Sequence, residues 1–338
     1  MTAANPIPWN EAGWLDEACA WIDAALAERA IERAGPITQP HIRPWSTVLL
    51  VPVAGGRLFF KATTPVFRHE PALTKLLADW RGAEIPPVLA IDAGRCWMLL
   101  GDCGEPMRAT VQAERSHRPW LAALPQYARL QRAAAGRVPE LLATGMLDRR
   151  LATLPDQFAA LLADEAALLL GQEDGMSADQ RAQLLALVPA VRELADELAG
   201  CGIPETLHHD DFHDGNIFVR DGRIIFADWA ESAVAHPFFS LVVALNSAAY
   251  QLGLEEDAPE LAELRQAYLA EWAGAASPAR LERAAVIARG LGMICRALTW
   301  HDVNNGVPPE LRGNSADAVP GWLLEFLPFA EREGLLGA

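Results

Sequence analysis

The chain has 338 residues, 51% hydrophobic and 21% charged, enough to build a large core without disulfide or metal staples. With 44 acidic against 28 basic residues its formal net charge is −16, a field that repels phosphate backbones and excludes nucleic acid as an expected partner. The acidic surface reads first as a solubility device and second as an attraction for a cationic substrate such as an amino sugar.

The five cysteines, Cys19, Cys96, Cys103, Cys201 and Cys295, are scattered and form no CxxC, so reduced, buried thiols are expected. The start, MTAANPIPWNEAGW, has no basic region leading into an apolar core, and no run approaches the ~18 apolar residues of a spanning helix. A cytoplasmic protein without membrane attachment is expected.

From Trp14 to Glu32 apolar residues recur at helical spacing with acids between them, which predicts an amphipathic helix. Gly35-Pro36 stops it, and ITQPHIRPW, STVLLVPV and GRLFFKA read as short β segments of a small antiparallel sheet. After Pro71, Leu73, Leu76, Leu77 and Trp80 form a helical stripe, followed by a strand pair, PPVLAID and CWMLLGD. Residues 105–200 are rich in Ala, Leu and Arg at helical period, and Ser177 with Gln180 forms a capping box before one helix, QLLALVPAVRELADELAG. A compact β insert, LHHDDFHDGNIFVRDGRIIFADW, comes next; residues 238–300 and 321–333 return to helical patterns.

Within the insert, Asp221-Gly222 suits the two positive φ angles of a type I′ turn, so IFVR and RIIFA should form a hairpin. Its register sets Asn216 opposite Ala227, with Asp228 at the same open end. An amide oxygen and a carboxylate are hard donors of the kind Mg²⁺ accepts, which makes Asn216 and Asp228 the candidate metal ligands. Asp211, five residues earlier on the entering loop, is the candidate base for a hydroxyl attacking a metal-bound phosphate. HHDDFHD also reads as a polar surface loop or as a His/Asp cluster of a metal-dependent hydrolase. Against the hydrolase, all its candidate ligands fall within seven residues.

The segment His209-x-Asp211-x-His213-x-x-Asn216 resembles the aminoglycoside phosphotransferase and choline kinase branch of the protein-kinase-like superfamily, whose pattern runs HGDLHPGN and then IDW. HDDFHDGN and ADW stand in those places here. The resemblance implies an α+β, two-lobed fold: a small antiparallel β-sheet lobe, residues 1–102 with the hinge, and a larger, mainly helical lobe, 103–338. It also assigns the base role to Asp211, the metal roles to Asn216 and Asp228, and a loop-bracing role to His209. His213 receives no role, and His208 and Asp210 read as structural.

By the same resemblance Lys61, ending GRLFFKA, takes the place of the lysine that reaches ATP phosphates. Glu70 is its expected ion-pair partner, with a helix-start role before Pro71 as the competing reading. WMLLGDCG resembles the hinge, where backbone groups of Leu99, Leu100 and Gly101 would hold adenine. The glycine-rich loop GxGxxG is absent, and HIRPWST takes its position, with Arg43, Ser46 or Thr47 as phosphate contacts. After Asp228, His236-Pro237 and Ser240 replace the DP and acidic residue of the family's pattern. Glu231 and His236 are candidates to face the acceptor, as are Trp300, His301, Asp302, Asn304 and Asn305; structural roles and helix capping explain them equally.

The expected activity is ATP- and Mg²⁺-dependent transfer of the γ-phosphate to a hydroxyl of a small molecule: an amino sugar, aminoglycoside, other sugar or amino alcohol. No activation-loop segment ending in APE follows Asp228, which disfavours protein substrates. A catalytically silent nucleotide-binding regulatory module is the alternative, and intact Lys61, Asp211, Asn216 and Asp228 weigh against it.

Overall fold

The computed structural model describes residues 7–335; residues 1–6, the first part of the start MTAANPIPWNEAGW, fall outside the described residues. Two compact units form, one of Met1–Glu105, Phe218–Ala230 and Asp302–Gly313, the other of Pro106–Ile217, Glu231–His301 and Asn314–Ala338.

In the first unit helix α1 (Trp14–Ala27) is shorter than the helix to Glu32 that periodicity predicts. Ala30 turns left-handed at φ 54°, and the Ile31 N–H reaches back to Leu26 O at 3.1 Å, closing the helix end. Strands β1 (Thr38–Ile42), β2 (Ser46–Val53), β3 (Gly56–Thr63), β4 (Val88–Asp92) and β5 (Trp97–Gly101) form a sheet in the order β1-β2-β3-β5-β4, antiparallel at every contact. Helix α2 (Glu70–Arg81) joins β3 to β4.

Because strand residues alternate faces, Leu58, Phe60 and Ala62 of β3 share one face, and Lys61 lies on the other. That first face packs on α1: Trp14, Trp21, Phe60 and Trp97 meet edge-on or tilted with ring centroids 5.4–6.2 Å apart.

The hairpin is β9 (Ile217–Arg220) with β10 (Arg223–Phe226), and its turn residues Asp221 and Gly222 have φ 51° and 73°, both positive as a type I′ turn requires. A short strand, β6 (Glu105–Pro106), completes the order β10-β9-β6.

The second unit is mainly helical: α3 (Met107–Glu114), α4 (Arg118–Ala134), α5 (Val138–Ala143), α6 (Leu154–Leu162), α7 (Ala178–Ala186), α8 (Val188–Ala199), α9 (Ser240–Leu252), α10 (Pro259–Ala270), α11 (Pro278–Asn305) and α12 (Ala318–Arg332). The single helix expected after Ser177 is two, α7 and α8. The capping box is present, with Gln180 N to Ser177 Oγ at 3.2 Å and Ser177 N to Gln180 Oε1 at 2.9 Å. Pro189, which lacks an N–H and clashes with the preceding turn, restarts the helix at Val188.

A small sheet runs through this unit in the order β7-β11-β8, from β7 (Leu147–Asp148), β8 (Thr206–His209) and β11 (Ser232–Ala235). Periodicity gave no sign of β11, four buried residues with no alternation. It pairs antiparallel with β8, Ser232 opposite His209 and Ala235 opposite Thr206, and so fixes the point where the chain leaves β8. No disulfide joins the five cysteines, as expected; four of them are buried and Cys19 is half-buried. Among the described residues no helix is long and apolar enough to cross a membrane.

Candidate active site

In the first unit β3 carries Lys61 on the sheet face away from the aromatic core, 7% exposed. Its ammonium donates to Glu70 Oε1 and to Asp228 Oδ1, each at 2.6 Å. Glu70 both forms this ion pair and opens α2, so the two roles considered for it coexist. Burial alone would lower the Lys61 pKa, but Asp228 and Glu70 outweigh it and raise the value, so the ammonium stays charged. Burial pushes Glu70 up to about 7 against the pull of Lys61. Asp228 has φ 64°, a left-handed backbone held at a sparsely populated angle beside the ion pair.

The other predicted residues of this unit lie in the sheet. Thr47 is fully buried; its hydroxyl donates to His41 O at 2.8 Å and accepts from Gln39 Nε2 at 2.9 Å. Ser46 begins β2, and its carbonyl receives the Arg43 N–H at 2.8 Å across the Pro44-Trp45 turn. Leu99, Leu100 and Gly101 belong to β5, which has β3 on one side and β4 on the other; the Gly101 N–H donates to Pro87 O at 2.7 Å.

In the second unit the chain leaves β8 at His209 and closes a tight loop to Asn216. Asp211 O accepts the His213 N–H at 2.9 Å, and His213 O accepts the Asn216 N–H at 3.0 Å. Gly215 leaves room here: a Cβ would lie 2.8 Å from the His213 ring and 3.1 Å from the Arg108 guanidinium carbon, so a larger residue would push these side chains aside. The Asn216 amide donates to both Asp211 O and Asp211 Oδ2, each at 3.0 Å, so the predicted base and this predicted ligand are joined directly.

His213, without a role from sequence, also touches the acid. Its Nδ1 accepts the Gly215 N–H at 2.9 Å, which leaves Nε2 to carry the proton toward Asp211 Oδ2 at 3.3 Å. His209 is fully buried, with its N–H on the Tyr127 hydroxyl at 2.9 Å and its ring edge-on to Phe212. Asp214, also fully buried, takes Arg108 Nε at 2.7 Å and the Ser247 hydroxyl at 3.2 Å.

Sequence reasoning missed Arg296. From α11 its Nη2 donates to Asp211 Oδ1 at 2.9 Å, and its Nη1 meets Glu231 Oε2. A single charged residue inside the apolar run GLGMICRALTW was the available signal. Burial works to raise the Asp211 pKa, but Arg296 and then His213 hold its carboxyl well below the usual carboxylate range. Glu231 is thus tied to Arg296, and His236 is fully buried with Nδ1 accepting the Phe238 N–H at 3.3 Å. The Trp300 ring lies under the Arg296 guanidinium at 5.2 Å, and His301 pairs with Asp164 at 3.0 Å; Asp302, Asn304 and Asn305 end α11.

The first unit thus carries a sheet-borne, doubly paired lysine, and the second a loop-borne aspartate bonded to an asparagine. The chain belongs to the phosphotransferase enzyme family, whose sequence profile matches residues 56–278.

Solved structures share the fold. A choline/ethanolamine kinase family protein from Mesorhizobium loti is 19% identical with TM-score 0.61, over 94% of this chain and 95% of its own. A Plasmodium vivax ethanolamine kinase is 13% identical with TM-score 0.64, over 94% and 89%. A spectinomycin phosphotransferase, solved with ADP and spectinomycin, is 12% identical with TM-score 0.52, over 94% and 98%. No curated protein matches the chain. The fold is therefore the protein-kinase-like one, an antiparallel sheet lobe with a larger helical lobe, and by its family the protein is a phosphotransferase.

Proposed function

We propose that the protein transfers the γ-phosphate of ATP, with Mg²⁺, to a hydroxyl of a small molecule. The observation that carries this reading is the Asp211 carboxylate, ionised and held by Asn216 at 3.0 Å within a loop of the family's motif. Asp211 would orient the attacking hydroxyl and accept its proton, while Lys61, kept charged by two carboxylates, would offset phosphate charge. Adenine is assigned to the strand end at Leu99, Leu100 and Gly101, and the phosphates to the turn before Ser46 and Thr47.

Asn216 and Asp228 are the proposed Mg²⁺ ligands. Their donor chemistry fits: Asn216 spends its amide N–H groups on Asp211, so the amide oxygen is the atom left to a cation, and the Asp228 side chain is 45% exposed. When bound, Mg²⁺ would neutralise phosphate oxygens. The acceptor classes are amino sugars, aminoglycosides, other sugars and amino alcohols. The acidic surface, at −16, favours a cationic member, and the ethanolamine kinase and spectinomycin phosphotransferase folds support the range.

The test is ADP release from ATP across a panel of such acceptors, with and without Mg²⁺. Asp211→Ala should lower the rate on any productive acceptor by about 10²–10⁴-fold. A variant as active as the wild type would remove Asp211 from the chemistry.

A further inference from the structure

Arg296 is the buried charge that the sequence motifs do not explain. Its side chain is 6% exposed, yet three carboxylates surround it: Asp211 at 2.9 Å, Glu231 in direct hydrogen bond, and Asp210 Oδ2 at 3.8 Å. The two terminal nitrogens divide the work, Nη2 on Asp211 and Nη1 on Glu231, and the Trp300 ring closes one face of the guanidinium. The planar guanidinium holds each acid through a separate nitrogen at a fixed angle, whereas a lysine ammonium would have to bring one nitrogen within reach of both.

Behind Asp210 runs a buried chain of hydrogen bonds. His208 Nε2 lies 3.0 Å from Asp210 Oδ1 and its Nδ1 lies 2.8 Å from Ser240 Oγ, which in turn is 3.2 Å from the Tyr127 hydroxyl. With the carboxylate as acceptor, His208 carries its proton on Nε2 and accepts the Ser240 hydroxyl at Nδ1, so every donor points toward Asp210. The resemblance of Ser240, His208 and Asp210 to a hydrolytic triad stops at geometry, because all three are at most 2% exposed and no substrate reaches the hydroxyl.

We propose that Arg296 is a positioning residue that fixes the Asp211 carboxylate, and that Glu231, Asp210 and His208 form the buried backing that keeps its guanidinium aimed. The inference rests on the reading of Asp211 as the group that receives the acceptor hydroxyl. Three ionised acids around one guanidinium would leave uncompensated buried charge, and burial together with Asp211 and Asp210 raises the Glu231 pKa against Arg296. Asp211 is thereby braced from α11 and β8, with α9 and α4 behind them, rather than by its own loop alone.

The decisive variant is Arg296→Lys, which keeps the charge and removes the fork. Folded protein with kcat reduced about 10–100-fold and a nucleotide KM within about twofold of wild type supports positioning. A kcat within about twofold, or a loss that only follows the unfolded fraction, overturns it. Should Arg296→Lys fail to fold, Trp300→Leu loosens the guanidinium from a partly exposed site; kcat should fall about 3–10-fold at unchanged nucleotide KM, and an unchanged kcat overturns the proposal.

Crystal structures of wild type and of the folded variant give a readout independent of any acceptor. A turned or multiply oriented Asp211 carboxylate supports the proposal; the wild-type orientation overturns it. A wild-type-active Asp211→Ala would instead sink the reading of Asp211 and leave this structural comparison standing.

Discussion

The two units bury different kinds of matter. The first packs α1 against one sheet face through the rings of Trp14, Trp21, Phe60 and Trp97, and keeps a buried ion pair, Lys61 with Glu70, on the other face. The second threads hydrogen bonds through its centre. Gln131 Nε2 donates to Leu207 O at 2.9 Å and Pro237 O at 3.1 Å, and Gln131 Oε1 accepts the Tyr268 hydroxyl at 2.6 Å. Apolar packing is non-directional and tolerates adjustment, whereas a hydrogen-bonded core fixes orientation at the risk of a high cost when one member is lost. Asp211, the proposed base, stands on the hydrogen-bonded core.

The largest effect expected from this contrast is on stability. Phe60→Ala should destabilise by about 3–5 kcal/mol through the cavity it leaves, with kcat per folded molecule unchanged. Denaturant unfolding with active-site titration measures both; a fall in kcat per folded molecule would blur the distinction between the units. Gln131→Leu keeps the volume but orphans buried carbonyls, at about 2–3 kcal/mol. It should also lower kcat per folded molecule, because Leu207 and Pro237 flank the strand and turn that seat His208 and Ser240. Stability lost without any change in kcat would show the polar core to be structural only.

The last expected effect is a pH dependence. Glu70 titrates at about 7 in the folded protein against 4.5 ordinarily. A raised folded pKa means that its contribution is fully present below about pH 4.5 and is lost as pH rises through about 7, worth up to about 3 kcal/mol. Thermal unfolding from pH 5 to 8 should therefore show wild type losing stability relative to Glu70→Gln as pH rises. A difference that stays flat from pH 5 to 8 would mean that Lys61 holds Glu70 ionised throughout.

What the sequence revealed follows the distance over which contacts act. Asp211 and Asn216 lie within one motif, and the ion pair of Lys61 with Glu70 spans nine residues. The Asp221-Gly222 turn announces itself through two backbone angles. Arg296 meets Asp211 across 85 positions, and Gln131 meets Tyr268 across 137; no periodicity encodes such pairs. His208 and Asp210 were visible as residues but not as a relay, since Ser240 and Arg296, which give them direction, come from α9 and α11. Where local signals did mislead, as in the helix drawn through Pro189, the propensity of the surrounding leucines and alanines had masked a single backbone veto.

The left-handed backbone of Asp228, at φ 64°, bears on how any survey of substitutions would be interpreted. Aspartate, asparagine and glycine visit that angle readily, and other side chains pay roughly 1–2 kcal/mol to hold it. An alanine scan would thus overstate the chemical share of this carboxylate by adding conformational strain to its loss. Asparagine is the cleaner probe, since it keeps both the size and the angle while removing the charge that Lys61 faces.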